Sequence, residues 1–156
     1  MALKQKLEKL KFLNDTYKDS DWMVYRENWK TDISALQHTI MDKWLEEYVH
    51  NGLMNFNLIP TKRVEPYIGE YLTSILEITL AENKFIILEP VSAVTTEYDG
   101  KLEIYMLGNI ENKVSILRQI VTENEHEWIV AKSYNPKDHS KFDKEQLEKL
   151  IEEWLQ

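Results

Sequence analysis

From about residue 71 to residue 133 the chain is a succession of short segments rich in β-branched and aromatic residues, each followed by a turn signal. ILEITL, KFIIL, AVTTEY, KLEIYML, KVSILRQIV and EWIVAKS alternate in part between apolar and polar side chains. AENK separates the first two, and Asp99-Gly100 reads as a two-residue hairpin turn. Asn109 to Asn112 and Glu123 to His126 close the next two pairs. Parallel neighbours would need long crossovers, so connections this short force antiparallel pairing. The expectation is a meander of about five or six strands over 71–133.

Helices are expected on either side. Leu3, Leu7 and Leu10 recur at helical spacing in a first amphipathic helix, which is expected to pack on the domain. Trp22, Tyr25 and Trp29 suggest a short helix with an aromatic face, although a strand at 22–26 fits the same letters. A further helix is capped by Thr31 or Asp32 and ended by Asn51-Gly52. Its apolar positions run Ile33, Leu36, Ile40, Met41, Trp44, Leu45, Tyr48 and Val49. At the other end, Asp143 with Gln146 makes a capping box, and Phe142 with Leu147 a hydrophobic staple. Leu147, Leu150, Ile151, Trp154 and Leu155 form the apolar face that follows. The fold class is therefore α+β, with N-terminal helices over 1–52 and a C-terminal helix over 143–155 packed on the sheet in one domain.

Composition narrows the function classes. The chain has no cysteine, which removes thiolate metal sites and a cysteine nucleophile and suits the cytoplasm. Net charge is −8, split as −1 over residues 1–60 and −7 over 61–156. An acidic surface repels phosphate backbones, so nucleic acid is not an expected partner. No apolar run reaches membrane-spanning length, and the first residues lack the apolar core of a signal peptide, so no membrane association is expected.

Two clusters resemble metal or catalytic sites. His38, Asp42, Glu46 and His50 fall at every fourth position of HTIMDKWLEEYVH. At ~1.5 Å per residue the two histidines stand about 18 Å apart, too far to share an ion. The ladder also crosses the side opposite Ile40, Trp44 and Tyr48, so it reads as a solvated face. In TENEHEW, residues 122–128, a zinc HExxH motif would need a histidine where Val130 stands, and the stretch reads as a polar turn. No metal ligands, cofactor or catalytic residues are therefore assigned. Phosphate-cradling glycine loops and a GxSxG elbow are also missing from the sequence.

Four residues remain as candidates for binding a ligand or partner: Trp22, Tyr25, Trp29 and Arg118. Arg118 shares a strand face with Val114, Ile116 and Ile120. If that face is inward, the guanidinium needs a carboxylate or an acidic ligand. The alternative places Leu117 and Val121 inward and leaves Arg118 wet, and this is the expected arrangement. The expected function is a non-enzymatic protein-interaction domain, of inhibitor or immunity type, that binds a basic partner. The competing expectation is a small-molecule-binding protein or enzyme with a pocket between sheet and helices.

Overall fold

The computed structural model describes residues 2–16, 19–133 and 135–156. Its centre is one antiparallel sheet of seven strands whose spatial order is the chain order, β1-β2-β3-β4-β5-β6-β7. The strands are β1 (Met54–Glu65), β2 (Gly69–Leu80), β3 (Lys84–Ser92), β4 (Lys101–Met106), β5 (Val114–Thr122), β6 (Glu125–Ala131) and β7 (His139–Lys141). The helices are α1 (Leu3–Thr16), α2 (Asp19–Thr39), a π-helical turn (Ile40–Trp44), α3 (Glu46–His50) and α4 (Lys144–Trp154). The α+β class and the antiparallel meander are as expected.

The strand list departs from expectation at three places. The sheet begins at Met54, because β1 is a full strand with Pro60 at its middle. Proline cannot donate to a ladder, which hides such a strand in the sequence, yet an edge strand tolerates it. AVTTEY is a loop: the Thr95 hydroxyl accepts from the Tyr98 amide at 2.9 Å and satisfies locally a donor that a strand would pair. Consequently Asp99-Gly100 ends a longer connection from β3 to β4 instead of forming a two-residue hairpin. The short β7 adds the other edge, at His139–Lys141.

Cross-strand register places Leu76, Leu88, Ile104 and Val114 in one row. Leu102, Ile116 and Val130 make another, and both rows belong to the core. Over this face lies α2, burying Trp22, Trp29, Ile33, Leu36 and Ile40. No break occurs at Thr31 or Asp32, so the expected short helix and its successor are one helix. Asp32 is used otherwise, as shown below. After Ile40 the next buried residue is Leu45, five positions on. In an α-helix that step would turn Leu45 about 140° off the core. The π turn, in which the Leu45 amide donates to the Ile40 carbonyl at 3.0 Å, brings it back.

Helix α1 corrects a further expectation. Leu3, Leu7 and Leu10 are 71%, 54% and 41% exposed, so this stripe is not packed on the domain. The C-terminal helix behaves as its sequence indicates. The Asp143 carboxylate accepts from the Gln146 amide at 2.9 Å, and Phe142, Leu147, Leu150 and Ile151 are buried. Only Leu155, at the last turn, is exposed.

Candidate functional site

Arg118 is the group that organises the interior. It sits in β5 opposite Trp128 of β6, on the face beneath α2. The side chain is 0% exposed and Val121 is 54% exposed, both against expectation, although Leu117 on the other face is buried. A buried guanidinium is tolerable only when it is paired and hydrogen-bonded. Its Nη1 donates to the Asp32 carboxylate at 2.8 Å, and its Nε donates to the Asp99 carbonyl at 2.9 Å. The charge also lies over the rings of Trp29 (4.8 Å) and Tyr25 (5.3 Å). Its Nη2 is buried with no hydrogen-bond partner among the described residues.

Tyr25 and Trp29 thus flank Arg118, and Trp22 adjoins Tyr25 with ring centroids 5.6 Å apart. Trp29 packs on Gly100, where a Cβ would stand 2.3 Å from the indole. Its Nε1 donates to the Tyr71 hydroxyl at 3.1 Å, and Tyr71 in turn donates to Glu65. Burial first, and the hydrogen bond to Glu65 second, push the Tyr71 phenol well above its ordinary ionisation range. The Tyr25 hydroxyl shares its proton between the carbonyls of Ala93 (2.7 Å) and Asp99 (2.9 Å). Trp22 stacks on Tyr67 with centroids 5.0 Å apart. Trp22 and Trp29 lie in the core, and Tyr25 packs against it, tying α2 to the loop before β4.

What reaches solvent from this centre is Asp32 with His126. The Asp32 oxygen that holds Arg118 also stands 3.5 Å from Nδ1 of His126. The sequence reading placed TENEHEW in a turn, but the turn is only Glu123 and Asn124, and His126 lies in β6. Being opposite Ile120 and two residues from Trp128, it faces α2. A linear sequence shows no link between His126 and Asp32, because the helix, not the strand, supplies the carboxylate.

His126 separates two adjoining hollows between α2 and the β5–β6 hairpin. The smaller, of about 210 Å³, is lined by Asn28, Asp32, Arg118, Thr122, Asn124 and His126 among others. The larger, of about 600 Å³, has an apolar wall that includes Leu36, Trp44, Val121, Trp128 and Phe142. Trp44 meets Phe142 edge to face at 5.3 Å, and His126 meets Trp128 at 5.8 Å and 89°. Trp44 ends the π turn: the extra residue that sends Leu45 to the core leaves Trp44 half-buried on the cleft wall. The residues lining the two hollows include Glu123, Glu125 and Glu127 and, among the described residues, one lysine, Lys141.

The polar ladder on HTIMDKWLEEYVH is on the surface. His38, Asp42, Glu46 and His50 are all exposed, and a His38–Asp42 contact of 3.4 Å is the one ion pair along it among the described residues. No three histidine, aspartate or glutamate side chains converge on a metal-sized site among the described residues. Nor is any described helix long and apolar enough to cross a membrane. Comparison with protein-family models, with curated proteins and with solved structures returns no match, so the cleft is read from its geometry alone.

Proposed function

We propose that this chain is a non-enzymatic protein-interaction domain that seats a basic side chain of a partner protein in the cleft between α2 and the β5–β6 hairpin. The observation that carries the reading is the pairing of an aromatic wall with a surplus of carboxylates. Trp44, Trp128 and Phe142 offer ring faces and edges, while Glu123, Glu125 and Glu127 outnumber Lys141 among the lining residues. Arg118 adds no free charge, since Asp32 neutralises it. An ammonium or guanidinium entering here gains from the rings and from the acidic field together. The net charge of −8 steers a basic partner in from a distance. Placement of Trp44 by a π turn fits as well, since such turns recur at functional sites. A cytoplasmic inhibitor or immunity-type role is one that this chemistry suits.

A second reading is supported by a separate observation, the unpartnered Nη2 of Arg118 beside the smaller hollow. In that reading the pocket takes a small molecule carrying a hydrogen-bond acceptor. Titration followed by tryptophan fluorescence separates the two. An oligo-arginine peptide is expected to bind saturably, and Glu125→Gln with Glu127→Gln to weaken it and flatten its salt dependence. Binding of small carboxylates with no binding of the peptide would favour the second reading. A peptide titration that is flat, or equal in the double variant, sinks the first.

A further inference from the structure

The opposite face of the sheet carries its own hollow. Register sets Glu89, Glu103, Ser115, Ala131 and His139 side by side across β3 to β7. Ser115 and Ala131 are small, and above them opens a cavity of about 630 Å³, walled by the Thr95–Tyr98 loop and by Lys6 of α1. Four lysines from four separate segments reach it: Lys6, Lys101, Lys113 and Lys132. In a chain of net charge −8 this concentration of cations stands apart.

Two of the acidic groups nearby, Glu89 and Glu103, are less exposed than the lysines they pair with. Lys113 lies 3.3 Å from Glu103 and 3.8 Å from Glu89, and Lys101 lies 3.8 Å from Glu103. Lys132 lies 3.1 Å from Glu153 of α4, and Lys6 has no ion pair among the described residues. Glu103 and Glu89 are 19% and 22% exposed, less than Lys101 and Lys113 at 31% and 34%. Each ammonium carries three N–H donors, more than these ion pairs use. Glu97 is the one carboxylate on the lining itself.

His139 contributes geometry. One ring nitrogen, Nε2, stands 3.0 Å from the Ser133 carbonyl and must donate to it. The other, Nδ1, then accepts from the Tyr98 hydroxyl at 3.0 Å. That bond fixes Tyr98 at the cavity wall. Ser115 and Thr96 add hydroxyl groups to the lining, and Leu117 and Ala131 add an apolar floor.

We propose that this outer-face cavity is a binding site for a small phosphorylated molecule, held by Lys6, Lys101, Lys113 and Lys132. It is independent of the cleft beneath α2 and of what binds there. The test is calorimetric titration of the full chain with inorganic pyrophosphate, against potassium chloride at matched ionic strength. Saturable binding with a raised melting temperature is expected for pyrophosphate alone. Lys6→Gln and Lys132→Gln should each weaken it roughly tenfold, since each removes a charge-assisted contact. Ala131→Leu should fill the floor and abolish binding. If that variant melts lower without ligand, the two surface lysine variants decide the matter. Absence of saturation, an equal response to chloride, or unchanged binding in both lysine variants overturns the proposal.

Discussion

Helices α1 and α2 carry the same sequence signal and meet opposite fates. Both repeat apolar residues at three-and-four spacing, yet Leu3, Leu7 and Leu10 are exposed while Trp29, Ile33, Leu36 and Ile40 are buried. The difference lies in polar anchoring. Along α2, Tyr25 reaches two carbonyls, Trp29 reaches Tyr71, Asp32 reaches Arg118, and Gln37 donates to the Ser74 carbonyl at 2.8 Å. For α1 the described side-chain contacts amount to a Lys4–Glu8 pair 3.9 Å apart within the helix. Periodicity states which side of a helix is available for burial. Fixed hydrogen-bond partners determine which helix is held.

That comparison can be broken at several points, beginning with the largest effect. Asp32→Ala leaves Arg118 buried without its counter-ion and is expected to cost about 3 to 5 kcal/mol in urea unfolding. Replacing Arg118 by methionine in the same chain should recover much of that loss, and failure to recover would show that Asp32 acts some other way. Next, Gly100→Ala puts a Cβ into the Trp29 ring at a residue with φ of +143°, a backbone region that side chains rarely adopt. A loss of about 2 to 3 kcal/mol is expected.

A smaller, pH-dependent effect belongs to Tyr48 on α3, whose hydroxyl donates to Glu148 of α4 at 2.7 Å. That hydrogen bond first, and burial second, push the phenol from its ordinary value of 10.0 up to about 12. The folded state thus favours the protonated phenol. Its contribution is whole below about pH 10 and disappears as pH rises towards about 12. Unfolding midpoints of the parent and of Tyr48→Phe should differ below that window and converge within it. Last, Leu7→Ser on α1 should change stability by no more than about 0.5 kcal/mol, as for other surface substitutions. A loss as large as that of Asp32→Ala would abolish the contrast between the two helices.

Much of the architecture was legible in residue patterns because local rules govern it. The Asp143 cap, the Phe142–Leu147 staple and the strands over KFIIL, KLEIYML and EWIVAKS follow from periodicity and capping chemistry. Where two local rules conflict, reading fails. Pro60 masks β1, since proline cannot donate to a ladder, and Asp32 had the chemistry of an N-cap but spent its carboxylate on Arg118. The site was less legible. Tyr25 and Trp29 flank Arg118, with Trp22 beside Tyr25, but Asp32, Trp44, Trp128 and His126, which shape the cleft, carried no signal as a group.

The sequence by itself determined that this chain is an α+β protein with an antiparallel meander, because strand length, turn chemistry and helix caps act between near neighbours. It also determined that HTIMDKWLEEYVH turns its polar ladder outward, since the apolar residues of the same stretch claim the opposite side. Only the tertiary structure decided that Arg118 lies inside, that Asp32 of α2 meets both it and His126 of β6, and that a π turn sets Trp44 at the cleft. Asp32 is 86 residues from Arg118 along the chain. Contacts over such separations depend on how whole elements pack, and pairwise burial of charge is settled only when the partners are in place.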